Sequence, residues 1–129
     1  MTKSERYERG TELMRKMLGE ARVRAIDERV KLFPDWDLYT REFLFGEIWQ
    51  RPGIALKTRS LVTVAALAVL GREKELGNHI RGAVNNGASK DEIVEVIMHV
   101  GFYAGWPATV SGFRVASEVL QELGLLEEP

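Results

Sequence analysis

Six polar side chains of this chain stand in apolar or aromatic surroundings. Glu47 lies between Phe45 and Trp49, Arg51 directly precedes Pro52, and Arg59 opens the most apolar run of the chain. His79, His99 and Tyr103 fall within residues 71–108, which also carry Phe102 and Trp106. The arginines offer two-pronged hydrogen bonding to a carboxylate, and a histidine can give or take a proton near neutral pH. Each residue also has a structural reading. Glu47 and Arg51, at i and i+4, can pair with each other, Arg59 can tie down a helix terminus, and His99 can be a hydrogen-bonded core histidine.

Other chemistries are poorly supplied. Cysteine is absent, which removes disulfides, thiolate metal sites and cysteine nucleophiles. There is no glycine-rich phosphate loop and no Gly-x-Ser-x-Gly elbow. The two histidines are 20 positions apart, whereas metal sites on helices use i, i+3 or i, i+4 pairs. Glu75 and His79 do have that spacing, as half a metal site or as a surface ion pair. The metal signal is therefore weak. A net charge of −1 leaves no electrostatic footprint for nucleic acid or an anionic membrane.

The elements that must position these side chains read as helices. Around the two histidines, 73–86 has a helical pattern that Asn86-Gly87 closes. Ser89 then stands as an N-cap with Glu92 as its capping-box partner, ahead of the apolar positions Ile93, Val96, Ile97 and Val100. Earlier in the chain, 4–18 is amphipathic, with Tyr7, Leu13, Met14 and Met17 near one face, and ends at Gly19. Residues 20–32 continue as a second helix with Val23, Ile26, Val30 and Phe33 inward, until Pro34 stops it. Asp35 is placed to cap a third helix, through Trp49, whose apolar residues are too many for one stripe. Thr58 is placed to cap the next, which runs to Leu70, is apolar all round and belongs in the middle of a bundle. Pro107 suits the first position of a last helix, reaching about Leu123 and stopped by Gly124. Small residues from Gly101 to Gly112 at the junction of the last two helices allow either close helix contact or ligand access to backbone.

No alternating strand pattern and no repeat is present. The expectation is an all-α bundle of about six helices in a single domain, 1–129. The run 61–70 is about half the roughly 20 residues a membrane span needs, so no membrane partner is expected. The polar start, MTKSERYERG, has no apolar signal-peptide core, which makes a cytoplasmic location the default.

Taken together, GEIWQRPG at 46–53, LKTRSLVTVAAL at 56–67, ELGNHIRGAVNNGASKDEIVEVIMH at 75–99 and YAGWPA at 103–108 resemble the carboxymuconolactone decarboxylase family, in its 4-carboxymuconolactone decarboxylase branch. RYERGTELMRKMLG at 6–19 is similar as well, so the likeness covers nearly the whole chain. The wider superfamily is alkyl hydroperoxidase-like, and its thiol members carry Cys-x-x-Cys with a histidine four residues after the second cysteine. Setting that histidine on His79 puts Arg72 and Glu75 where the cysteines would be, so peroxide reduction by that route is excluded.

The resemblance implies decarboxylation of 4-carboxymuconolactone to 3-oxoadipate enol-lactone, a step of protocatechuate catabolism in the β-ketoadipate pathway. The leaving carboxylate sits on a carbon conjugated to the lactone carbonyl, so the substrate supplies its own electron sink, and the resemblance implies that no cofactor and no metal is needed. The protein would hold the spectator carboxylate, stabilise the developing oxyanion and return a proton to carbon. On this reading Arg51 and Arg59 are candidates for the clamp or the oxyanion donor. His79 is the first choice for proton donor, with Glu47 orienting it or relaying the proton, and His99 and Tyr103 come next. Trp49, Phe102 and Trp106 are available as an apolar wall. A cation beside the leaving carboxylate would stabilise the ground state, so the clamp should grip the other carboxylate or the lactone oxygen. Relatives form trimers or hexamers with sites near subunit contacts, which implies a homo-oligomer. The alternatives are an enzyme of this kind acting on another small acidic lactone or oxo acid, and a non-catalytic oligomeric binding protein of the same fold.

Overall fold

The structure, a computed structural model, describes residues 4–126. The first three residues of the polar N-terminal segment lie outside the described residues. Among the described residues there are seven α-helices and no strand, as the periodicity predicts. No helix among them is long and apolar enough to cross a membrane. The chain divides into two compact units at the Leu56/Lys57 step.

The first unit begins with α1, Glu5–Leu18, capped by the Ser4 hydroxyl, which accepts from the Tyr7 N–H at 3.1 Å. After Gly19 (φ 87°) comes α2, Glu20–Arg29, which tightens into a 3₁₀ turn over Val30–Leu32. The expected cap at Asp35 is not there. Helix α3, Pro34–Tyr39, starts two residues earlier than a cap at Asp35 would place it, with Pro34 at its first position and Phe33 as an N-cap without a side-chain bond. Proline's fixed φ and missing amide make it a better first residue than Asp35. Asp35 and Asp37 instead bring negative charge to the first turn.

The third helix does not stay α. From Thr40 to Ile48 it widens into a π-helix, and its exit is sealed by the Trp49 N–H donating to the Leu44 carbonyl at 2.9 Å, five residues back. The surplus of apolar residues is resolved in this turn: Phe45 and Trp49 are buried, while Phe43 and Leu44 face outward. Phe45 stacks on Trp49 with centroids 5.6 Å apart, and the pair closes a core made by Leu13, Met14, Met17 and Val23. The π segment and α1 cross at two glycines. A Cβ on Gly10 would strike the Arg41 carbonyl oxygen, and one on Gly46 would strike that of Arg6. Beside this crossing Arg41, only 3% exposed, donates from Nε to Asp37 at 2.8 Å and from Nη2 to Asp27 at 2.5 Å. Burial alone would lower its pKa, but the hydrogen bonds to Asp37 and Asp27 outweigh this and raise it.

The second unit holds α4, Leu56–Leu70, α5, Glu73–Asn85, α6, Lys90–Ala104, and α7, Trp106–Glu122. Because α4 begins at Leu56, Thr58 lies inside its first turn and is not its cap. This helix buries one face, Ser60, Val64 and Ala68, and leaves Val62, Val69 and Leu70 exposed. Ser60 is fully buried and accepts a hydrogen bond from Asn86 Nδ2 at 2.9 Å, which ties α4 to the α5–α6 turn. That turn forms as its residues require. Gly87 takes φ 101°, and the Ser89–Glu92 capping box is complete, with both bonds at 3.0 Å. The core is contributed mainly by Val64, Leu76, Ile80, Ile93, Ile97, Val115 and Leu120.

At the α6–α7 junction the small residues serve close helix contact. A Cβ on Gly101 would strike the Thr109 side chain, and one on Gly112 would come within 3.2 Å of Ile97. Trp106 opens α7 with Pro107 second, one position later than expected, and Gly105 (φ 105°) makes the corner.

Candidate functional site

Glu47, Trp49 and Arg51 come from one piece of the first unit, the end of the π segment and the turn after it. A wide turn of this kind is common where a helix presents functional groups. Glu47 reaches back to α1, where Arg6 Nη1 donates to its Oε2 at 3.0 Å, and the same guanidinium lies 3.8 Å from Glu42. The Ser4 hydroxyl also donates to Glu42, at 2.6 Å. The carboxylates of the π segment are thus held from the N-terminal end of α1, through Arg6, a partner 41 positions away from Glu47 that no local spacing could reveal. Trp49 is 7% exposed and belongs to the unit's core, whereas Arg51 is exposed.

In the second unit the candidates sort onto four helices. Arg59 lies half-buried in the second turn of α4. His79 is on α5, one step round the helix from the buried stripe of Leu76, Ile80 and Ala83. Burial holds the His79 pKa below the ordinary histidine value, and Glu75, one turn earlier, works in the opposite direction without overcoming it. At neutral pH this imidazole is therefore uncharged in the free protein.

His99 is on the outer side of α6 and is exposed, so it is not a core histidine. Its ring and that of Tyr103, one turn on, have centroids 5.7 Å apart. Glu95, one turn earlier, completes a file of three along the helix. Glu95 and His99 edge a groove of about 390 Å³ between α4 and α6, floored by Leu61, Val62, Ala65, Val96 and Val100, with Thr58 at its end. Trp106 is on the other flank of α6. It lines a smaller apolar cleft of about 180 Å³ with Phe102, Met98, Val110 and Phe113. Trp106, 79% exposed, and His99 therefore face separate depressions.

Glu95 and Thr58 are groove residues that residue type and setting did not single out. The i, i+4 spacing of Glu95 and His99 was a readable signal, but Thr58 looked like a cap. Among the described residues no group of three His, Asp or Glu side chains is arranged to hold a metal ion.

Comparison with known proteins adds what geometry alone does not. Residues 34–118 match the model of the carboxymuconolactone decarboxylase family. The chain belongs to that family. The match runs across the division between the two units and takes in all eight candidate residues. Over 129 residues, 99% of this chain and 96% of the relative, it is 43% identical to the 4-carboxymuconolactone decarboxylase of Acinetobacter baylyi. It is 32% identical over 119 residues, 91% of this chain and 82% of the relative, to nitrosuccinic acid decarboxylase npaB of Metarhizium robertsii. An uncharacterized 15.0 kDa protein of Paracoccus denitrificans is 35% identical over 94 residues, 71% of this chain and 70% of the relative.

Proposed function

We propose that this chain is a carboxy-lyase that converts 4-carboxymuconolactone to 3-oxoadipate enol-lactone in aromatic catabolism. The observation that carries the reading is the 43% identity to a protein of that name, along almost the full length of both chains. The chain acts as one domain, 1–129. The continuity of the family match across residues 56 and 57 supports this.

The mechanism follows from the substrate. Breaking the bond to the departing carboxylate sends its electron pair through the ring double bond to the lactone carbonyl oxygen, and carbon dioxide leaves. The product is an enol-lactone, so the proton must arrive at the ring carbon next to the carbonyl. The retained carboxylate and the oxyanion are the two places where a guanidinium is useful, and Arg51 and Arg59 take these roles. His79 supplies the proton, with Glu47 orienting it or relaying protons. Around the departing carboxylate apolar side chains are favourable, because water or a cation there would stabilise the reactant. His99 and Tyr103 complete the proposed substrate contacts, while Trp49 packs in the core beneath the turn that carries Arg51 and Trp106 lines a separate cleft.

To test this, 4-carboxymuconolactone is generated in situ and enol-lactone formation is followed with the purified chain and no added cofactor. Acceleration over the spontaneous rate that survives a chelator is expected. A folded protein that leaves the spontaneous rate unchanged would overturn the substrate assignment.

The chain is also proposed to work as a homo-oligomer, a trimer or hexamer. Phe102, Tyr103 and Trp106 are 79–82% exposed, and Val62, Val69 and Leu70 add apolar surface on α4. Exposed aromatic and aliphatic residues in such density are what subunit contacts cover. Light scattering should return a mass three or six times that of one 14.6 kDa chain, and a monomer would refute the assignment.

A further inference from the structure

The substrate class of this same site can be drawn more sharply, in an inference that rests on the decarboxylase reading. In the lactone, one ring carbon carries the carboxylate that departs and a CH₂–COO⁻ arm that remains. In nitrosuccinic acid, for which the Metarhizium relative is named, one carbon carries a carboxylate, a nitro group and the same CH₂–COO⁻ arm. The ring and the nitro group have no shape in common. What they share is electronic: each accepts the pair released with carbon dioxide, onto a carbonyl oxygen in one case and onto nitro oxygens in the other. Both molecules are succinates with an anion-stabilising group on the carbon that loses its carboxylate.

We infer that the site recognises the succinate unit and tolerates exchange of the electron sink, and that it therefore binds the nitronate of 3-nitropropanoate as a stable copy of its own carbanion. That nitronate is what remains of nitrosuccinate after the carbon–carbon bond breaks and carbon dioxide leaves. Its electron pair rests on the nitro oxygens, its reacting carbon is planar, and its CH₂–COO⁻ arm is intact. Two cationic side chains suit a dianion of this layout, one on the arm and one on the oxygen that gains charge. The lactone-derived furanolate presents the same two points. 3-Nitropropanoate with its nitro group neutral is a monoanion: it keeps the charged arm but lacks the charge on the sink. Because a catalyst binds the high-energy species better than the reactant, the dianion should be strongly preferred.

The test is calorimetric titration of the full chain, with inhibition of lactone turnover measured alongside. The preformed nitronate of 3-nitropropanoate, made in base and used before carbon reprotonates, is compared with the 3-nitropropanoate monoanion, succinate and the nitronate of nitroethane. The nitronate with the arm should bind about a hundredfold or more tighter than the 3-nitropropanoate monoanion, compete with the lactone, and exceed both the arm alone and the sink alone. Equal binding of the nitronate and the monoanion, or equal binding of nitroethane nitronate, would overturn the inference. Titration needs no turnover, so the two readings fail separately. Tight nitronate binding by a protein that leaves the lactone untouched would discard the lactone and keep the class. Lactone turnover without preference for the nitronate would discard the class and keep the lactone.

Discussion

Replacing His79 by glutamine is expected to lower kcat for the lactone by about 10²–10⁴-fold, the range that a positioned acid or base contributes, with the helical circular dichroism unchanged. Glutamine keeps the approximate size and a hydrogen-bonding tip but cannot deliver a proton. The pH dependence gives the sharper reading. Burial lowers the His79 pKa, against a smaller opposing effect of Glu75, so in the free protein the imidazolium is present only below the ordinary histidine range of about 6.5. A dianionic substrate works the other way. Its charges favour the imidazolium and raise the pKa in the complex. Since kcat/KM reports the free protein and kcat the complex, both should fall as pH rises, with the midpoint for kcat at higher pH. Glutamine at 79 should remove both limbs. Coincident midpoints, or limbs that persist in the variant, would take the proton away from His79.

The same group sets a term in stability. A histidine held neutral by burial binds fewer protons folded than unfolded, between its depressed pKa and about 6.5. Its contribution is intact above that window, declines as pH falls through it and is lost below the folded pKa. His79→Gln should be insensitive to this component.

What was legible in the sequence was local. The Ser89–Glu92 capping box and the Asn86-Gly87 stop each depend on a few neighbouring residues, and they formed as read. Asp35 and Thr58 misled because residue type marks a cap only where the helix happens to begin, and Pro34 and Leu56 begin earlier. The π segment had no signature at all. Its period differs from that of an α-helix by about one residue per turn, too little to detect over a segment of nine residues. The site was legible to a similar depth. The His99–Tyr103 contact is one helical turn, whereas the Arg6–Glu47 bond spans 41 positions and the buried Arg41–Asp27 pair spans 14. Pairs of that kind are created by packing: the aromatic setting of Glu47 marked the residue, but no local spacing marked its partner Arg6.

Gly46→Ala should be strongly destabilising, and its sign is diagnostic. Alanine within a helix ordinarily stabilises by about 1 kcal/mol relative to glycine. At this position the new methyl group would strike the Arg6 carbonyl oxygen and lie 2.8 Å from that of Arg41. Both are backbone atoms, so no side-chain rotation relieves the contact, and α1 must move off the π segment. Overpacking of this kind costs about 1–3 kcal/mol and occasionally more. The displaced helix also carries Arg6 away from Glu47 and loosens the Met14–Met17–Trp49 core. A drop in Tm of roughly 10 °C follows for a chain of this size, with faster hydrogen exchange across α1 and residues 40–48. Gly53→Ala is the control, since a Cβ there meets nothing within 4 Å, and its effect should stay within about 0.5 kcal/mol. If both variants melt with the wild type, the glycine crossing does not hold the first unit together. If only Gly46→Ala fails and it also loses turnover, the π segment that presents Glu47, Trp49 and Arg51 is held in place by a backbone contact remote from any substrate.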